Sequence, residues 1–137
     1  MFQSTTKVRV RYAETDQMGY CYYGNYAQYY EVARVEALRS LGISYKNLEA
    51  QGYLLPVSDF NIKYILPAFY DEELSVKCTI NELTNFKIKF KYEIHNTNGD
   101  LLNFGNTTLV FVDKQTKKPV NCPDFLNNKL IKFIHEK

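Results

Sequence analysis

The 137 residues include no tryptophan and two histidines, His95 and His135. Neither histidine has Cys, Asp or Glu partners at metal-ligand spacing, so no metal and no other cofactor is expected. Cysteine is scarce as well: Cys21, Cys78 and Cys122 are odd in number and far apart. That excludes a disulfide framework and fits the reducing cytoplasm. No apolar run approaches the roughly 20 residues that cross a bilayer. The opening Met-Phe-Gln-Ser-Thr-Thr-Lys has no charged stretch leading into an apolar one, so no signal peptide is expected. Excess charge of one sign is lacking too. Lys and Arg total 17 against 15 Asp and Glu, and the two signs are interleaved, which argues against a nucleic-acid partner. Gly-x-Ser-x-Gly is absent, so an α/β-hydrolase nucleophile has no support. With no repeat and no low-complexity linker, residues 1–137 read as one domain.

Aromatic residues fill the gap, with 12 Tyr and 9 Phe. Tyrosine suits strands and half-wet surfaces, where the ring is covered and the hydroxyl finds a partner. Residues 5–13 alternate with period two and predict a strand with Val8, Val10 and Tyr12 on one face. Turn-formers follow, from Glu14 to Gly19. From Asn25 the period becomes helical: Tyr26, Tyr30, Ala33, Ala37 and Leu41 form a stripe that Tyr29 and Leu38 broaden. Asn25 is the expected N-cap and Gly42 the stop. A short helix is expected from Ser44 to Gln51, closed by Gly52. Strands follow at 53–66, 72–83, 86–94 and 101–113, with Asn98-Gly99-Asp100 as a hairpin turn. Residues 123–133 predict a closing helix. The four later strands are expected to pair as a consecutive antiparallel meander. One long helix against a five-stranded sheet is an α+β arrangement. Aromatics on both sides of the sheet predict an apolar outer face covered by oligomerisation.

Asp16 falls between the first strand and the long helix. The first turn of that helix presents free backbone N–H groups and the positive end of the dipole, which would stabilise an oxyanion. A carboxylate beside it could attack a carbonyl or activate a water. Gly19 and Gly24 would let backbone approach a substrate closely. By spacing alone, Asp16 is more often a cap or turn-former, and Glu14 reads as a solvated charge.

The segment around Asp16 carries more than spacing. Tyr12, Thr15-Asp16, Gly19, Tyr22-Tyr23 and Asn25-Tyr26 are followed on the helix by Tyr29-Tyr30-Glu31-Val32-Ala33-Arg34. This order resembles the signature of the 4-hydroxybenzoyl-CoA thioesterase-like family of hotdog proteins, in its bacterial Tol-Pal-associated, short-chain acyl-CoA branch. A second stretch, Ile62-Lys63-Tyr64-Ile65-Leu66-Pro67-Ala68 with Asp71-Glu72-Glu73-Leu74, resembles that family's Tyr-x-x-Pro-Ala segment. The resemblance covers essentially the whole chain. It implies a hotdog fold, a long central helix wrapped by a five-stranded antiparallel sheet, and metal-free hydrolysis of acyl-CoA thioesters. Asp16 matches the family's catalytic Asp, as nucleophile or as general base. Tyr23 matches the position whose backbone N–H polarises the thioester carbonyl. Many members of that branch carry His there; the Tyr of this chain keeps the backbone donor and lacks an imidazole. Tyr12, Gly19 and Gly24 are expected at the substrate.

Coenzyme A phosphates call for basic groups, for which Lys63 and Lys87 are candidates; Lys87, Lys89 and Lys91 otherwise read as a solvated strand face. Glu31 and Arg34 are expected to pair along the helix. Cys21 reads as a small packing residue rather than a nucleophile. The resemblance further implies homodimers that pair into homotetramers, with the site between subunits, and acyl carrier protein as an alternative carrier of the acyl group. Hotdog dehydratases need an Asp/His pair that this chain lacks near Asp16. The competing reading from another class is a non-catalytic module that binds acyl-CoA or acyl carrier protein.

Overall fold

The computed structural model describes residues 2–134, so His135 lies outside the described residues. Strand β1 (Phe2–Arg9) opens the chain, and helix α1 (Asn25–Ser40) and the short α2 (Tyr45–Ala50) follow it. Then come β2 (Tyr53–Leu54), β3 (Val57–Tyr64), β4 (Glu73–Leu83), β5 (Lys87–His95), β6 (Leu101–Val110), β7 (Val112–Asp113) and α3 (Asp124–Ile134). Five strands form one antiparallel sheet in the order β1-β4-β5-β6-β3, and β2 pairs with β7 apart from it. With α1 laid against one face of the sheet, this is the hotdog fold expected of the chain.

The expected meander holds for β4, β5 and β6, but β3 leaves it. It pairs with β6 at the far edge instead of with β4. The segment 53–66 is also split by Pro56, which cannot donate a ladder hydrogen bond, into β2 and β3. The first strand ends at Arg9, earlier than alternation suggests, and Tyr12–Glu14 form one turn of 3-10 helix.

Strand alternation decides which face is covered. Val76, Cys78, Ile80, Ile88, Phe90, Tyr92 and Ile94 are fully buried beneath the helices. From α1 come Tyr26, Tyr29, Tyr30, Ala33, Ala37 and Leu38, with Arg34 buried among them. Tyr30 stacks on Tyr92, ring centroids 4.2 Å apart. Its hydroxyl donates to Asn103 Oδ1 at 2.7 Å, so helix and sheet are joined by stacking and by a buried polar bond. Arg34 donates to the Tyr45 hydroxyl at 3.2 Å and reaches Glu31 at only 4.0 Å. The expected Glu31–Arg34 pair is thus the weaker of its contacts. Gly42, with φ of +80°, ends α1 as expected.

The outer face of the sheet is not apolar. It carries Thr5, Lys7, Ser75, Lys77, Lys89, Lys91, Asn106 and Thr108, with Phe104 as its exposed aromatic. The exposed apolar residues gather elsewhere: Val57, Phe60, Tyr64, Ile65 and Leu66 along edge strand β3 and its exit, and Tyr12, Met18, Tyr20, Tyr22, Tyr23, Phe69 and Tyr70 at the adjoining end.

Candidate active site

Between β1 and α1 the chain makes a tight excursion from Arg11 to Gly24. Asp16 accepts a hydrogen bond at Oδ1 from the Met18 amide (2.9 Å) and a longer one from the Tyr20 amide (3.3 Å). Its own amide donates to the Tyr20 carbonyl at 2.8 Å, and the Gly19 amide donates back to the Asp16 carbonyl at 3.0 Å. Such a turn needs a residue at positive φ, which Gly19 supplies at +82° without a Cβ penalty. Both side-chain bonds fall on one oxygen; Oδ2 has no donor among the described residues. The Cys21 amide donates to the Ala68 carbonyl at 2.8 Å, which fastens the excursion to the segment leaving β3.

Asp16, Met18, Tyr20, Cys21, Tyr23, Tyr26, Tyr64, Ile65, Leu66 and Pro67 line one open cleft of about 270 Å³. Its wall is aromatic and aliphatic, with the half-buried Asp16 as its charged residue. The Tyr64 ring meets Tyr26 and Tyr23, with centroids 5.8 Å and 6.4 Å away. Burial pushes the Tyr26 phenol up to about 12, and its hydroxyl accepts from the Ala68 amide. The helix begins beside this cleft. The Asn25 and Tyr26 amides donate into the preceding turn, whereas those of Tyr23 and Gly24 have no acceptor among the described residues. Free amides at a helix start are the groups that receive developing negative charge.

The structure therefore brings Asp16 and Tyr23 to one cleft, with Gly19 shaping the turn. It does not bring the other expected residues there. Tyr12 is 78% exposed and sits edge-on to Tyr70 outside the cleft. Gly24 is outside the cleft lining, and the Tyr22 ring covers its Cα where a Cβ would meet it at 2.7 Å; only its amide, at the helix start, stays without an acceptor among the described residues. Lys63 precedes Tyr64 on β3, and strand alternation turns its side chain to the opposite face. Lys87 opens β5 opposite Val110, at the other end of the sheet from Asp16. Eight residue steps along β5 separate it from His95, about 26 Å at 3.3 Å per step.

Two further corrections concern the excursion. Asn25 does not cap α1 with its side chain; its Nδ2 donates to the Glu14 carbonyl at 2.8 Å. Glu14 is not solvated but 7% exposed. Its Oε1 accepts from the Arg11 amide and the Tyr29 hydroxyl, each at 2.8 Å, and Oε2 from the Arg11 guanidinium at 3.1 Å. Burial would raise the Glu14 carboxyl, but the Arg11 amide, the Tyr29 hydroxyl and the Arg11 charge outweigh it and hold it below the ordinary range. Burial raises the Cys21 thiol, with the nearby Glu14 charge adding to it. A thiol kept protonated in this way suits packing, as expected, and not nucleophilic attack.

Among the described residues no group of His, Cys, Asp and Glu is placed to hold a metal ion, and no helix is long and apolar enough to cross a membrane. Residues 10–130 match the thioesterase-like superfamily. YneP of Bacillus subtilis (strain 168) is 39% identical over 120 residues, 88% of this chain and 87% of that protein. The Escherichia coli O6:H1 protein named acyl-CoA thioester hydrolase YbgC is 33% identical over 116 residues, 85% of this chain and 87% of that one. A crystal structure of a DHNA-CoA thioesterase from Staphylococcus aureus, 41% identical, superimposes with a TM-score of 0.86 over 88% of this chain and 81% of that one. Similarity that runs almost from end to end, in sequence and in fold, leaves one assignment: the chain belongs to the thioesterase-like superfamily.

Proposed function

We propose that this protein hydrolyses the thioester of an acyl-CoA to the free acid and coenzyme A, with Asp16 as its catalytic carboxylate. The observation that carries this reading is the shared cleft of Asp16 and Tyr23 at the start of α1. A thioester carbonyl seated there would turn its oxygen to the free Tyr23 and Gly24 amides. Asp16 would then attack the carbonyl carbon, expelling the CoA thiolate and leaving a mixed anhydride for water to open. Alternatively it would take a proton from a water attacking the same carbon. Both routes use the same geometry. The tyrosine-rich wall would hold the acyl group, and Gly19 would hold the turn that sets Asp16.

The active unit is a homodimer, joined through β3, that pairs further into a tetramer. Edge strand β1 is guarded by Lys7 and Arg9, whereas β3 exposes Val57, Phe60 and Tyr64, the kind of edge that pairs with another strand. An antiparallel join about a twofold axis sets the Tyr64 end of one β3 beside the Val57 end of the other. That arrangement carries Lys87 of the partner subunit to the end of the sheet where Asp16 lies, three strands from the join. Lys87 shares the outer face with Lys89 and Lys91, so it would meet the phosphates of coenzyme A from the second subunit where they pass the end of the sheet, a reach it lacks within one chain. Three free thiols, Cys21, Cys78 and Cys122, suit work in the cytoplasm.

Release of free CoA from short aliphatic, long aliphatic and aromatic acyl-CoA thioesters tests the reading, with wild type and Asp16→Asn side by side. Acyl carrier protein loaded with the best acyl group is run in parallel. Turnover lost in the Asn variant is the expected result. Binding of acyl-CoA without turnover in wild type would replace hydrolysis with a non-catalytic binding role.

A further inference from the structure

Residue 14 receives five hydrogen bonds. Three end on its carboxylate, from the Arg11 amide, the Arg11 guanidinium and the Tyr29 hydroxyl. Two end on its backbone carbonyl, from the Tyr22 amide at 2.7 Å and the Asn25 side chain at 2.8 Å. Their donors lie on three separate pieces of chain: the exit from β1, the segment just before α1, and the first two turns of α1. Two residues further on stands Asp16, and the segment just before α1 holds the free Tyr23 and Gly24 amides. Glu14 is thus the point at which the proposed carboxylate and the proposed oxyanion donors are fixed to one another.

A buried carboxylate is a costly way to join backbone segments. An apolar side chain of similar volume commonly gives equal or greater stability at such a place. What the carboxylate adds is direction, because each of its three donors must lie on a lone-pair axis within hydrogen-bond distance. Hydrolysis depends on that kind of precision, since misplacement by about 1 Å can cost about 100-fold in rate.

We propose that Glu14 is a positioning residue for the hydrolysis: its buried carboxylate, held by Arg11 and Tyr29, locks the Asp16 turn to the start of α1 and so sets the distance between attacking carboxylate and oxyanion donors. Glu14 has no place in the cleft lining, so it acts through its neighbours and not on the substrate. The inference rests on the hydrolytic reading above. It predicts that weakening this lock lowers turnover while leaving acyl-CoA binding nearly as it was, because the cleft wall is built from other residues.

The test compares CoA release by wild type, Asp16→Asn, Glu14→Gln and Tyr29→Phe, together with amide hydrogen exchange on each. Glu14→Gln keeps the shape and loses the charge; Tyr29→Phe removes a single donor and leaves the carboxylate its two Arg11 contacts. The expected result is a kcat at least about tenfold lower in Glu14→Gln with KM within about threefold of wild type. Tyr29→Phe should show a smaller fall of the same kind. Exchange should quicken in residues 15–26 and stay unchanged in β4, β5 and β6. Leu130→Ala, at a fully buried position of α3, serves as the comparison: it should lose stability and keep its kcat. Wild-type kcat in Glu14→Gln, or unchanged exchange in residues 15–26, overturns the positioning role alone when Asp16→Asn is dead. A wild type that binds acyl-CoA and releases no CoA overturns the hydrolytic reading, and this inference with it.

Discussion

Glu14 and Asp16 stand two residues apart in the same excursion, yet one is buried under three donors and the other lines a cleft. The role of Asp16 was legible through the family resemblance, because spacing alone reads a carboxylate just before a helix as a cap or turn-former. The burial of Glu14 could not be seen, since it depends on Tyr29 folding back across 15 positions. The Arg11-x-x-Glu14 spacing was the available signal. Proton linkage gives Glu14 a measurable trace. Its folded-state value lies below the ordinary 4.5, so its contribution is fully present above that pH and is lost as the pH falls through the folded value. The melting temperature of wild type should therefore drop as the pH falls below 4.5, and part of that drop should be missing in Glu14→Gln. Cys21 makes the opposite case. It lines the cleft, but it is 4% exposed and held protonated. Cys21→Ala should keep kcat within about threefold of wild type, since no proton or electron pair is asked of the thiol. A loss as complete as that expected of Asp16→Asn would make the thiol the nucleophile instead.

Elements were legible where a local period exists, and their partners were not. The alternation from Ile88 to Ile94 and the helical stripe from Tyr26 to Leu38 both survive in the structure, because each records a single covered face; Phe86, expected on the same face, precedes β5 and is exposed. Strand order is different. Nothing in the pattern of residues 57–64 distinguishes pairing with β4 from pairing with β6, since the choice is made by long-range contacts. One residue does carry a trace of the answer. Gly105 on β6 lies opposite Ile62, and a Cβ there would collide with the Asn61 backbone carbonyl, closer than any real contact, and meet Ile62 Cα at 3.0 Å. The obstruction is backbone and cannot swing aside, so β3 must move. Gly105→Ala should destabilise the fold by about 1–3 kcal/mol in urea unfolding. Because Tyr64 lies at the end of β3 and lines the cleft, KM for acyl-CoA should rise as well. Unchanged stability would mean that β3 is looser against β6 than the pairing implies.

At the scale of the whole molecule, the two edges of the sheet are unlike. Lys7 and Arg9 guard β1, and Arg9 is further tied to Asp71 and Glu73. Along β3 the backbone edge is bare and flanked by exposed apolar side chains. The expectation of an apolar outer face placed the surface to be covered on the wrong side of the sheet, because alternation was read without knowing which strand would lie at an edge. At an antiparallel join about a twofold axis, residues near the middle of β3 meet their own copies. Asn61 lies there, exposed, with its side chain donating to Asn106 Oδ1 at 2.8 Å. Asn61→Lys would set two added cations close together across the join, and like charges that face each other across paired strands repel. It leaves the buried face of the sheet untouched. The dimer dissociation constant should rise at least about tenfold, equivalent to about 1.4 kcal/mol, as read by sedimentation velocity over a dilution series. Turnover per chain should fall in step with the dimer fraction, since each cleft would lose the neighbour's Lys87, which is proposed to meet the phosphates of coenzyme A. Turnover that holds while the dimer dissociates would confine the site to one chain; a dimer that resists the substitution would move the join away from β3.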